Sequence, residues 1–410
     1  MNGNENLVKK NDKEKEEEEF EEEEEIELEE DTSSTKKTTY QDSAKKRMIK
    51  VMAFIVGGTI LLILILYIVS LVAGRKYSYD DVEEILTEAA EGYFADYPDS
   101  LPKEDGSIVE VDSSNLVAAG KMKDLSEYIK DNVTCTGSVQ VEKSGSEYLY
   151  TPFLDCGSAY KTVELYKEIV NEDSIVTAGD GLYSRGGSYY YRGEKVDNYV
   201  KLDKSLWRIV KVTSDDNVVL IHADGLDYYQ PWDDRYNESR LYGSGINSYS
   251  ISRIKEYLDR IYTSPVEDDG ELILSKKDKA RLVSYNVCTG KRDASSEVKD
   301  NSLECKEVLK NQKLGLLTLS DYLYVSLDPS CKNANTRSCM NYNYLSMDDE
   351  WWLVTANSAD SSTAYKVDRD GVVKADITAT YSKVRPVIYL NSKALIKSGK
   401  GTLKDPYVLK

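Results

Sequence analysis

Apolar positions change their spacing three times along the chain. Val51 to Ala73 is an uncharged run of 23 residues, VMAFIVGGTILLILILYIVSLVA. At about 1.5 Å per residue it can cross a ~30 Å hydrocarbon core. A cleavable signal peptide would be shorter and N-terminal, so the run predicts one transmembrane helix within about 48–74. Beyond it, Val82, Ile85, Leu86, Ala89 and Tyr93 recur at helical spacing, with Asp80 or Asp81 as the cap. A second, short helix is predicted around Asp124 to Lys130. Ser138–Glu142 and Glu147–Tyr150 then alternate about a Ser-Gly turn, which predicts a hairpin. Together these elements predict a small α/β spacer domain over 77–172.

From about 178 onward the period is mostly two. Trp207 to Val212 alternates, and Val218 to Ile221 follows after the turn TSDDN. One helix interrupts the strands, with Ser250 as its cap and Ile251, Ile254, Leu258 and Ile261 on one stripe. Leu314 to Leu327 combines a buried strand with a capped helical turn. Trp351 to Val354 opens another strand, and a hairpin turns at Asp370-Gly371. VRPVIYL, Val384 to Leu390, closes the set; Pro386 confines that strand to an edge or a bulge.

Charge divides the chain unevenly. The net charge is -19, and residues 1–44 hold 17 Asp/Glu against six Lys/Arg. Like charges in a block repel and bury nothing, so residues 1–47 are predicted to be a disordered acidic tail. The acidity also argues against a nucleic-acid partner, whose footprint would be basic. Lys45, Lys46, Arg47 and Lys50 precede the apolar run, while Arg75 and Lys76 follow it. That asymmetry places the N-terminus in the cytoplasm and the rest outside a cell membrane crossed once. All six cysteines, Cys135, Cys156, Cys288, Cys305, Cys331 and Cys339, lie beyond the run. An even number on one side predicts disulfides in an oxidising exterior, with sequential pairing the simplest of 15 connectivities. His222 is the single histidine. That excludes metal sites needing two imidazoles, and with no GxSxG present His222 is read as structural.

The ordered series GLYSRGGSYYYRGEKVDNYV, LWRIVKV, PWD, LGLLTLSDYL, NYL, WWLV, VRPVIYL and GKGTLKDPYVL resembles an uncharacterised domain of surface proteins from Gram-positive bacteria and their wall-less relatives. That domain is similar to the C-type-lectin-like superfamily that includes the formylglycine-generating (sulfatase-modifying) enzymes. The resemblance covers residues 178–410. It implies a C-terminal C-type-lectin-like mixed α/β domain with two twisted sheets and long loops; with the transmembrane helix and the disulfide-stapled α/β spacer read from the residues, the whole chain is expected to be α+β. The enzymes of that superfamily carry a copper-binding cysteine pair after the tryptophan-bearing strand. Leu353 to Val384 contains no cysteine here, and soft copper needs paired thiolates, so that chemistry is not expected. Arg185-Gly186-Gly187-Ser188 resembles a motif of the same enzymes but precedes the domain core, and is read as a loop.

The candidate ligand-binding residues are aromatic. Trp351 and Trp352 are strand neighbours that point to opposite faces, so either each enters a core of its own, the favoured reading, or one of them stacks a sugar or lines a pocket. Trp232 lies among turn residues, and Tyr228 and Tyr229 offer large contact area with a polar handle. Asp368, Asp370 and Gly371 fit a hairpin better than a calcium loop. No metal or cofactor is therefore expected; calcium could come only from carboxylates assembled in space. The expected function is a non-enzymatic, membrane-anchored binding or adhesion protein whose ligand is a glycan, a cell-wall polymer or a protein. A structural component of a surface assembly is the first alternative, and an enzyme lacking the copper cysteines the second.

Overall fold

The computed structural model of the chain describes residues 77–410, apart from 130–132, 238–243, 266–271 and 273, together with Lys50, Gly57, Gly58 and Ile63. Contacts gather Tyr77–Lys410 into one unit. The expected transmembrane helix, and the single-pass membrane localisation drawn from it, are corrected. Among the described residues no helix is long and apolar enough to cross a membrane. The longest described helix, Tyr79–Asp96, has 18 residues and carries Asp80, Asp81, Glu83, Glu84, Glu88 and Glu91, a charge load that hydrocarbon does not tolerate. The acidic tail lies outside the described residues, and so does the apolar run 51–73 except for three of its positions.

Ser78, rather than Asp80 or Asp81, caps Tyr79–Asp96. Its Oγ accepts from the Asp81 N–H at 3.2 Å, while the Asp81 carboxylate accepts from the Ser78 N–H at 2.9 Å. This reciprocal box satisfies two donors that the first turn leaves open. The helix buries Val82, Leu86, Ala89, Ala90 and Phe94 against an antiparallel sheet of β1 (Ile108–Asp112), β2 (Thr136–Ser144) and β3 (Glu147–Asp155). Gly137 makes the approach close: a Cβ there would meet Leu86 Cδ1 at 3.0 Å. The predicted hairpin is thus present and longer than its alternating core. Cys135–Cys156 joins its open ends, and Cys288–Cys305 and Cys331–Cys339 complete the sequential pairing.

This small layer is tied to the chain's last residue. Buried Glu83 accepts from the hydroxyls of Tyr160 and Thr162 and pairs with the Lys410 ammonium. Leu165 and Ile169, just beyond it, pack into the larger core.

The larger core is organised by an eight-stranded sheet. It contains β4 (Gly181–Arg185), β5 (Ser188–Arg192), β6 (Tyr199–Leu202), β7 (Ser205–Val212) and β8 (Val218–His222). The path runs Val387–Leu390, β8, β7, β6, Tyr407–Leu409, Ile396–Ser398, with β5 also pairing β7 and β4 pairing β5. Val387–Leu390 is an edge strand, as Pro386 requires, and single bridges to Gly315 and Leu282 cover it. Each face carries its own core. Trp207, Ile209, Val212, Val218 and Leu220 enter one, which the helix Arg253–Thr263 covers with Ile254, Leu258 and Ile261. Val210, Val219 and Ile221 enter the other, with the helix Leu319–Val325 and the sheet Trp351–Ala356, Thr363–Val367, Val373–Ile377.

Two boundaries differ from expectation. Ser252, not Ser250, caps Arg253–Thr263, and Ile251 falls in a preceding 3-10 turn with its side chain exposed. Trp232 C=O accepts the Ile254 N–H at 3.0 Å, which fixes where the helix can start. In Leu314–Leu327 the expected strand is reduced to the Gly315 bridge, and the helix is capped by Thr318.

The β7–β8 pairing contains a bulge. Ile209 opposes Leu220 and Lys211 opposes Val219, so one extra residue sits on β7. An unbroken strand would send Lys211 to the same face as Trp207 and Ile209. The extra residue turns it to the face of Val210 instead.

Removing the Cys135–Cys156 bridge by paired serine substitution releases a loop with ends 21 residues apart. The expected loss is about 3 kcal/mol. Denaturant unfolding under oxidising conditions measures it, and an unchanged midpoint would contradict this assignment of the bridge's role.

Candidate functional site

The three candidate tryptophans are interior braces. Trp232, Trp351 and Trp352 are all 0% exposed, so none presents a ring face to a ligand. Trp232 Nε1 donates to Leu353 C=O and Trp352 Nε1 to Gln230 C=O, both at 3.0 Å. Trp351 lies beneath the Arg385 guanidinium, 4.6 Å from its carbon. The turn PWD is buried because Asp233 is a hub: its carboxylate accepts from the backbone N–H of Ile246 and Arg253 and from Arg235. Tyr228 is exposed. Tyr229 Oη reaches both Asp349 carboxylate oxygens at 2.7 Å, and that hydrogen bond raises its pKa. Hydrogen bonds to Leu353 and Gln230 hold Trp232 and Trp352 beside one another.

A cavity of about 210 Å³ lies elsewhere, on the face to which the bulge turns Lys211. Lys211 Nζ donates to both Asp321 carboxylate oxygens, at 3.2 and 3.1 Å. Asn301 Nδ2 donates to Asp321 Oδ1 at 2.8 Å. Thr318 Oγ1 donates to Asn301 Oδ1 at 2.5 Å and, as helix cap, accepts from the Asp321 N–H at 3.1 Å. Asn301 holds a left-handed backbone, φ 63°, tolerated by a short polar side chain. Burial alone would lower the Lys211 ammonium; Asp321, Tyr389 and Tyr190 outweigh it and hold the group above the usual lysine range. The cavity's apolar wall includes Tyr285, stacked on Tyr389 at 3.8 Å, and the Cys288–Cys305 bridge.

Tyr190 connects this cavity to a cationic surface. Its ring meets Tyr324 edge-on at 5.0 Å, while Lys211 lies 5.2 Å from its centroid. Tyr324 in turn carries two guanidinium groups, Arg185 at 4.3 Å and Arg192 at 4.4 Å. The turn before β5 is Gly186-Gly187, both with positive φ, the two-residue hairpin geometry that positions Arg185 opposite Ser188. Arg185 donates to Lys299 C=O, and Arg192 to Tyr324 and Ser326 C=O. Lys299 donates to Cys331 C=O; burial first, then Arg192, lower its pKa. These three cations make no ion pair among the described residues.

Sequence reasoning missed both clusters. Strict alternation in LWRIVKV puts Lys211 on the face of Trp207 and Ile209, with no partner for it nearby in sequence, and Arg185 reads as part of a loop. The available signal was a lysine that alternation puts on the apolar face of its strand, but its partners come from residues 90 and 110 positions away. Among the described residues no three His, Cys, Asp or Glu lie together to hold a metal ion. No family model, curated protein or solved structure matches the chain.

His222 stands apart from both clusters, edge-on to Trp207 at 5.2 Å, and its Nδ1 has no hydrogen-bond partner among the described residues. Burial, and secondarily Arg385, push its pKa down to about 4. The unfolded imidazole protonates near its ordinary value of about 6.5. Between these values the unfolded state binds more protons, so stability falls as pH drops through the window. The expected loss is about 3 kcal/mol at most. Unfolding curves at pH 7 and pH 4.5 should differ less in His222→Gln than in the parent; an identical difference would contradict this role.

Proposed function

We propose that the chain is a non-enzymatic binding protein of an oxidising compartment, and that its ligand is an anionic glycan or wall polymer. The supporting observation is the stack Arg185–Tyr324–Arg192 with Lys299 beside it. In a chain of net charge -19, three neighbouring cations that make no ion pair among the described residues stand out, with Glu297 and Asp300 the carboxylates that act on Lys299 and Arg185 from nearby. Guanidinium forks match carboxylate and phosphate in planar geometry. Backbone carbonyls occupy only some of their N–H groups, leaving others for a ligand. Tyr324 and Tyr190 supply flat surface beside the charges. The three disulfides support the oxidising compartment, and the resemblance to a lectin-like superfamily supports a binding role by analogy.

Binding of the full chain to arrayed acidic and neutral glycans, and to isolated cell walls, tests this reading. Acidic polymers should bind saturably and more weakly as salt rises. Arg185→Ala with Arg192→Ala should weaken binding at least tenfold, since each charge-assisted hydrogen bond contributes about 1.5–3 kcal/mol. Equal binding of neutral glycans, or none at all by a folded chain, would contradict the proposal; the latter would favour the scaffold of a surface assembly.

A further inference from the structure

Lys211, Asn301, Asp321 and Thr318 form a set that the binding reading does not use. An amine and a carboxamide both donate to one carboxylate oxygen, Asp321 Oδ1. The carboxamide's own oxygen accepts a short hydrogen bond from a hydroxyl. All four side chains line the same cavity, and the charged pair is nearly withdrawn from solvent, with side-chain exposures of 11% and 8%. A salt bridge alone needs neither the amide nor the hydroxyl.

We propose that Lys211 and Asn301 become joined by an intramolecular amide bond, with Asp321 as the proton carrier and Thr318 as the donor to the developing oxyanion. Lys211 first passes a proton to Asp321 along their existing hydrogen bond. The transfer draws on a minor neutral form, because Asp321, Tyr389 and Tyr190 favour the ammonium, and it leaves two neutral groups where two charges were buried. The freed Nζ attacks Asn301 Cγ. Negative charge moves onto Oδ1, where the Thr318 hydroxyl already points. The former lysine protons pass through Asp321 to Nδ2, the Cγ–Nδ2 bond breaks, and ammonia leaves. The balance is one ammonium side chain plus one carboxamide giving one secondary amide plus ammonium ion, with no oxidant, cofactor or activating group consumed.

Three features favour the reaction over an inert contact. The bulge and the helix cap hold nucleophile and base in place, so little orientational freedom remains to be lost. The left-handed backbone of Asn301 fixes its amide between Asp321 and Thr318. The cavity, lined on its polar side by Ser188, Thr213 and Asn286, gives the leaving ammonia a path away from the site. Its dilution into solvent makes the step irreversible. The product joins β7 to the loop that precedes the 3-10 turn Glu304–Lys306, on the face that carries the second core.

The test is mass spectrometry of the full chain after complete disulfide reduction. The expected mass is lower than that of the sequence by one ammonia, and proteolysis should yield one branched peptide joining Lys211 to Asn301, uncut by trypsin at Lys211. Lys211→Arg and Asp321→Ala should each abolish the branch. The branched peptide is read from the parent chain, so the outcome does not depend on either variant folding. The proposal is overturned by a full sequence mass with Lys211 free. It is equally overturned by loss of water with a branch to Asp321, or by loss of ammonia as a succinimide at Asn301 with the Lys211 peptide linear. A branch that persists in a folded Asp321→Ala chain would overturn the role given to Asp321.

Discussion

One extra residue in β7 governs where the chain's chemistry lies. Between Ile209 and Lys211 the strand advances two residues while β8 advances one. Because side chains alternate with a period of two, this step exchanges the faces of everything after it. Val212 enters the core with Trp207 and Ile209, and Lys211 leaves it. Without the bulge an ammonium group would be driven among Trp207, Leu220 and Trp352 with no partner, at a cost of several kcal/mol. With it, the ammonium meets Asp321, which the Thr318 cap holds at the start of its helix. The cavity, the Asn301 amide and the path through Tyr190 to Tyr324 all depend on that placement.

The same solution recurs through the interior. Buried cations lie against aromatic rings and donate to backbone carbonyls or carboxylates. Arg385 is fully withdrawn, donates to His222, Leu345 and Ala223 C=O, and covers Trp351. Arg208 lies between Tyr199 and Tyr344. Arg292 pairs with Glu304, both at 0% side-chain exposure. Lys366 bridges Glu350 and Asp376 beside Trp352. The composition suits this, with 32 Tyr against four Phe: tyrosine packs as an aromatic while keeping a polar edge. Paired groups of this kind favour one arrangement over its neighbours, because a shifted register strands a charge; Arg292 Nε is the buried cation nitrogen of this set that lacks a partner among the described residues.

Local pattern made much of the fold legible. The helix after residue 78, the hairpin stapled by Cys135 and Cys156, the β7–β8 turn and the edge strand after Pro386 follow from spacing, turn residues and cysteine order. Boundaries set by tertiary contacts were not legible. Ser252 rather than Ser250 starts its helix because Trp232 C=O takes the Ile254 N–H, a contact no window around residue 250 contains. The Trp351–Trp352 pair obeyed the alternation rule, one ring in each core, but alternation does not say that both faces are covered. The transmembrane expectation rested on hydropathy alone, and no described helix supports it. The candidate site failed to show for a related reason: a strand drawn without a bulge puts Lys211 on the face of Trp207 and Ile209, and Asn301, Thr318 and Asp321 reach it only through the fold.

Burial of one lysine beside one asparagine is therefore the claim on which the rest turns. Quantitative acylation of amines, mapped residue by residue, tests it most directly, with exposed Lys201 on β6 and Lys204 in the turn before β7 as internal references. The account predicts that Lys211 stays unmodified in the native chain and again after reduction and denaturation, while Lys201 and Lys204 react throughout. Modification of native Lys211 at the rate of the references would contradict its burial; modification on denaturation alone would leave the ion pair and contradict the covalent bond.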